Sequence, residues 1–135
     1  MTTRVVYDTN ILISALLSLT GAPFRCLALA RSGVVQSVTC SEILDEFSEK
    51  LRTKFAFEEA RIEQALDEIC AFTEIVEIPG LLQVVANDPD DDMVVECALV
   101  GKASIVVSGD KHLRALGRYE TIYILSANEF LISLE

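Results

Sequence analysis

Apolar positions along the chain fall into short runs, and their period switches repeatedly between that of a strand and that of a helix. Arg4 to Tyr7 is a β-type run, and Asp8-Thr9-Asn10 then opens an apolar helical stretch from Ile11 to Leu17. Pro23 and Gly33 bracket a second helix, Phe24 to Ser32. The β-branched run Val34 to Thr39 predicts the next strand, followed by a helix from Ser41 to Thr53. An acidic, heptad-like segment from Glu58 to Phe72 predicts another helix, and Ile75 to Ile78 a strand ended by Pro79-Gly80. Asp88-Pro89 starts a helix that runs to Val100 and is closed by Gly101. Ile105-Val106-Val107 reads as a fully apolar strand, Lys111 to Leu116 as a short helix, and Thr121 to Leu125 as the final strand. Ser126 and Glu129 then form a capping box for the last helix. This alternation predicts an α/β domain in which helices cover both faces of a central parallel sheet.

Length places all 135 residues in one domain, and a composition 51% hydrophobic and 24% charged, with mean hydropathy +0.39, suffices for a buried core. No run approaches the roughly 20 apolar residues that cross a bilayer, so a soluble, cytoplasmic protein without a membrane segment is expected. The apolar share is high for a monomer and suggests a covered face, hence a homodimer or higher oligomer. The net charge of −10 argues against electrostatic coating of nucleic acid, but is compatible with carboxylates that hold divalent cations against a phosphate. Cys26, Cys40, Cys70 and Cys97 form no C-x-x-C pair and read as reduced core residues. His112 is the only histidine, which leaves carboxylates as the main reactive inventory; no G-x-S-x-G turn points to a serine nucleophile.

In open α/β sheets ligands bind beyond the carboxyl ends of the strands. Asp8 follows the first strand and Asp110 follows Ile105 to Gly109, while Asp88 to Asp92 cluster at a helix start that can face the same edge. Each aspartate alone also suits a helix cap, but like charges brought together repel unless cations bind among them. On the helix from Ser41, Ile43, Leu44, Phe47 and Leu51 form the apolar face; at roughly 100° per residue Glu46 lies nearest to it, whereas Glu42, Asp45 and Glu49 point towards solvent. Two basic runs, Lys50-Arg52-Lys54 and Lys111-Arg114-Arg118, either meet phosphates or balance the acidic surface.

Val6-Tyr7-Asp8-Thr9-Asn10, the helix Glu42 to Phe47, the run Asp88 to Asp92 leading to Ala98, and Ser108-Gly109-Asp110-Lys111 together resemble a PIN domain. Their order and spacing are similar to the small prokaryotic branch of VapC-like toxins of toxin-antitoxin pairs, from Val5 to about Leu125. The resemblance implies a Mg²⁺- or Mn²⁺-dependent endoribonuclease acting on single-stranded RNA, with a catalytic and metal-binding quartet of Asp8, Glu46, Asp91 and Asp110. Asp91 is chosen for its spacing to Ala98 and its shared helix face with Val95. Glu46 either binds a second ion or orients the attacking water, and Asn10, Ser108, Asp88 and Lys111 are weaker second-rank ligands or substrate contacts. Ser108 stands where the family often has threonine, and retains the hydroxyl. A cognate antitoxin and a homodimer are the implied partners. A catalytically silent PIN-like interaction domain and a receiver-type Mg²⁺-binding module are the alternatives; Tyr7-Asp8 and Leu125-Ser126 stand where a receiver carries an acidic pair and a lysine.

Overall fold

The computed structural model describes residues 2–85 and 88–134. In chain order its elements are β1 (Thr3–Tyr7), α1 (Thr9–Leu17), α2 (Ala22–Arg31), β2 (Val35–Cys40), α3 (Ser41–Thr53), α4 (Glu59–Cys70), β3 (Thr73–Val76), α5 (Pro89–Val100), β4 (Ile105–Val107), α6 (Lys111–Leu116), β5 (Arg118–Tyr119), β6 (Ile122–Leu125) and α7 (Ala127–Ser133). The strands form a six-stranded sheet in the order β3-β2-β1-β4-β6-β5, flanked by the seven helices of the described residues. All neighbours pair in parallel except β5, which runs antiparallel to β6. The α/β reading therefore holds, with an antiparallel edge added.

Three differences from the sequence reading have physical causes. The two-residue strand β5 is too short to carry a period of its own; it exists because a turn at Glu120, whose φ is 53°, folds Arg118 and Tyr119 back onto Tyr123 and Ile122. The third strand lies two residues earlier than Ile75 to Ile78, because the register with β2 aligns Ser37 with Thr73 and Cys40 with Val76. Cys70 is exposed, unlike the other three cysteines, because it ends α4 on the face away from Ile62, Ala65 and Ile69.

Central strands buried on both sides need no alternation, and β1 accordingly ends in the fully covered run Val5-Val6-Tyr7. Tyr7 donates its hydroxyl to the Cys26 carbonyl at 2.7 Å and meets Phe130 edge-on at 6.4 Å, which ties β1 to α2 and α7. Helix α5 crosses the middle of the sheet against β1, β2, β4 and β6, with Val94, Val95, Cys97 and Ala98 buried. Its close approach depends on Gly101, where an added Cβ would lie 2.5 Å from Val38 Cγ1. Val38 is fully buried and stiff at χ1, so it cannot yield cheaply. Asp8, Ser108, Gly109 and Asp110 emerge together where β1 and β4 end side by side, Tyr7 being in register with Val107.

Gly101 occupies an ordinary helical conformation, so its replacement tests the packing contact alone. Gly101→Ala is expected to destabilise by about 1–3 kcal/mol, lowering Tm by about 5–10 °C in calorimetry, and Val38→Ala in the same chain should recover part of that loss.

Candidate metal centre

The end of β1 delivers Asp8 into the site with both oxygens already engaged. Its Oδ1 accepts the Thr9 N–H at 2.8 Å, as the cap of α1, and its Oδ2 accepts the Ser108 hydroxyl at 2.7 Å. Ser108 Oγ in turn accepts the Asp110 N–H at 2.9 Å, so one buried hydroxyl links the two acidic turns. Asp110 caps α6, its Oδ1 accepting from the N–H groups of His112 and Leu113 at 2.8 and 3.1 Å. Asp88 caps α5, accepting the Asp91 N–H at 3.3 Å. Capping and site formation are thus not alternatives here: the same dihedral requirement that caps each helix aims a carboxylate at the common edge.

Asp91, Asp88 and Asp110 each offer a carboxylate oxygen, and these three oxygens lie within 4.8 Å of one another. Asp91 is buried, and its Oδ2 has no hydrogen-bond donor among the described residues. An oxygen in that position costs free energy unless a proton or a cation joins it to its neighbours. Burial first, and then the Asp88 and Asp110 carboxyls, push Asp91 up to about 8. Burial opposes ionisation of Asp110 too, but the Leu113 N–H, the Asp91 carboxyl and the His112 N–H outweigh it and hold Asp110 below the usual carboxylate range. The hard oxygen donors and the unpaired buried oxygen fit a divalent cation such as Mg²⁺ or Mn²⁺.

Glu46 is the half-buried one among the acids of α3; Glu42, Asp45 and Glu49 are exposed. Burial raises its pKa, with Asp90 and Asp8 adding to the effect and the nearby Thr9 hydroxyl and Lys50 opposing it. Thr9 Oγ1 is itself buried and makes no hydrogen bond of normal geometry. Asp8 is likewise raised by burial, against the hydrogen bonds from Ser108 and Thr9. Asp8 and Glu46 therefore belong to one electrostatic field with Asp110 and Asp90, beside the closer triad. Asn10 is exposed and accepts from Lys50 Nζ at 3.2 Å, while Lys111 is exposed at the start of α6.

The cluster at the start of α5 separates by helix face. Asp90 is exposed and Asp91 turns into the triad. Asp92 is buried on another side, where its Oδ1 accepts the Val84 and Val85 N–H groups, both at 2.7 Å. Glu96, one turn later, accepts from Gly80 and Leu81 at 3.1 and 3.0 Å. These two carboxylates pin the segment that leads towards α5, a use the sequence reading missed. Its signal was the four-residue spacing of Asp92 and Glu96, the latter set among the apolar residues of the helix.

The raised pKa of Asp91 gives a signed prediction. An unfolded aspartate ionises near 3.9, so the stability contributed by neutral Asp91 is complete below that pH and is lost as pH rises towards 8. Asp91→Asn keeps the neutral shape and removes the titration. In metal-free buffer with EDTA its Tm should exceed that of the parent by an amount that grows from pH 5 to pH 8, on the order of 5 °C at the upper end, and then levels off.

A family model described as PIN domain matches residues 4–112. An uncharacterised protein of Methanocaldococcus jannaschii is 35% identical over 126 residues, which cover 90% of this chain and 79% of that protein. Among solved structures, VapBC2 from Rickettsia felis, bound to a DNA fragment from its promoter, has a TM-score of 0.65 at 15% identity, covering 92% of this chain and 98% of that one. The PIN domain of RRP44 from T. brucei has a TM-score of 0.55 at 13% identity, covering 99% and 82%. At such identities the two structures speak for the fold, and the sequence match along most of the chain decides the family: the protein belongs to the PIN domain family and is a nuclease-type domain.

Proposed function

We propose that this chain is a metal-dependent endoribonuclease that hydrolyses single-stranded RNA, and that it acts in the cytoplasm as the toxin of a toxin-antitoxin pair. The observation that carries the reading is the buried Asp91 Oδ2, which has no hydrogen-bond donor among the described residues, beside the Asp88 and Asp110 carboxylates at the carboxyl ends of parallel strands. Asp91, Asp110 and Asp88 would hold a Mg²⁺ or Mn²⁺ ion, with Asp8 completing its surroundings. Such an ion, when bound, neutralises phosphodiester charge and lowers the pKa of water at the site. Ser108 keeps Asp8 and the Asp110 turn in register, which fixes the spacing that a cation requires. Glu46, with its raised pKa, orients the attacking water and accepts its proton. With water as nucleophile the products carry a 5′-phosphate and a 3′-hydroxyl.

The substrate assignment follows from charge. A chain of net charge −10 has little general attraction for a duplex, so exposed single strands engage the site through the cation and local basic side chains such as Lys111 and Arg114. The partner assignment draws on the likeness to VapBC2, a toxin-antitoxin complex, and on exposed apolar residues such as Leu19, Leu81 and Ile132. In this reading an antitoxin helix covers apolar surface while a basic side chain enters the acidic site, and two copies of the chain form a dimer.

Incubation with Mn²⁺ should cleave single-stranded RNA and spare a matched duplex, and EDTA should abolish the reaction. Asp91→Asn and Asp110→Asn should each lower cleavage by at least about 100-fold, and end-group analysis should find 5′-phosphates. Products ending in 2′,3′-cyclic phosphate, or cleavage unaffected by EDTA, would overturn the mechanism.

Expression of the chain alone should slow growth unless Asp8→Asn is present, and light scattering at micromolar concentration should give the mass of at least two chains. A harmless monomer that still binds Mn²⁺ would instead favour a silent interaction domain.

A further inference from the structure

The basic side chains of this acidic protein are mostly committed. Arg4, Arg52 and Arg114 form ion pairs, and Arg31, Arg61 and Arg118 lie over aromatic rings. The run Lys50-Arg52-Lys54 is split accordingly: Arg52 turns to Glu49 and Glu59, while Lys50 faces α1. Lys50 lies one helical turn beyond Glu46, the spacing and order that favour an ion pair along a helix. Yet among the described residues it makes no ion pair, and its half-buried side chain reaches across to a neutral acceptor, Asn10 Oδ1, at 3.2 Å. Asn10 follows Asp8 by two residues on α1, and Glu46 precedes Lys50 by one turn on α3, so this contact holds the ammonium on the side of the site that carries both acids.

An ammonium has three donors and no acceptor, and Asn10 uses one. An ammonium held by a neutral amide, without an ion pair among the described residues, keeps donors available to an incoming anion. We propose that Lys50, positioned by Asn10, binds a phosphate of the RNA backbone next to Asp8 and Glu46. The inference rests on the ribonuclease reading above and adds a substrate-binding residue to it. It has an electrostatic signature: the charge that attracts the RNA phosphate repels the divalent cation held nearby, so removing it should move the two affinities in opposite directions. A lysine that merely supported the fold would weaken both.

Lys50→Met keeps the apolar stem and removes the charge, Lys50→Gln is a second neutral variant, and Lys50→Arg keeps the charge. Calorimetry with Mn²⁺ alone should show the neutral variants binding about twofold tighter than the parent. With a labelled single-stranded RNA, their KM should rise about tenfold, and the slope of log KM against log salt should fall by about 0.7, the loss of one phosphate contact on a single strand. Lys50→Arg should stay within about twofold of the parent in KM and keep its salt slope. If the parent cleaves RNA and the neutral variants match its KM and salt slope, the Lys50 assignment alone is overturned. Parallel loss of Mn²⁺ and RNA affinity, not restored by arginine, also overturns it. If the parent neither binds nor cleaves RNA, the ribonuclease reading falls and Lys50 falls with it.

Discussion

Repulsion among carboxylates gathered at one sheet edge is the constraint on which this site depends. Asp8 and Asp110 leave adjacent parallel strands, and Asp88 and Asp91 enter from the start of α5. Four mutually repelling groups would spread into solvent if each were free. Instead three of them are anchored as helix caps, Asp8 on α1, Asp88 on α5 and Asp110 on α6, and Ser108 ties two of the acidic turns together. The backbone N–H groups that satisfy those caps supply the partial positive charge that makes the clustering tolerable. Asp91 is the residue left over, and its buried oxygen, without a donor among the described residues, is where the uncompensated cost resides.

Helix α5 serves two ends at once because its acids face different ways. Asp91 points to the triad, whereas Asp92 and Glu96 collect four backbone N–H groups from the segment 80–85. A buried carboxylate satisfied by two donors supports a loop, and the same group without donors makes a site; position around the helix decides which. The apolar remainder of α5, with Val94, Val95 and Ala98 buried, seats the helix on the sheet, and Gly101 lets it approach Val38. Precision at the carboxylates is therefore inherited from packing about three turns away.

The acidic balance of the chain has a similar double effect. A net charge of −10 suppresses indiscriminate binding to polyanions, so local features must bring a substrate to the site. In the proposed reading Lys50, held by Asn10 and without an ion pair among the described residues, is such a feature, and so is the exposed Lys111 at the start of α6.

Much of this architecture was legible in the chain itself. The alternation of short apolar runs with helical periods located the parallel strands and their crossover helices, because burial on both faces imposes apolar runs such as Val5 to Tyr7. Cap chemistry marked Asp88-Pro89 and Ser126 to Glu129, and the helical angle singled out Glu46 as the inward acid of α3. What local pattern could not supply was everything set by contacts between distant segments. The register of β3 depends on β2, more than thirty residues earlier, and the place of Asp91 beside Asp110 depends on the end of β4, while Asp92 turns to Val84 and Val85 in the preceding segment. Adjacent aspartates are chemically identical in a sequence. The family resemblance singles out Asp91, but what sets it apart from Asp92 physically is decided by the folded chain, because the free energy of a carboxylate depends on which donors, charges and apolar groups tertiary packing places around it.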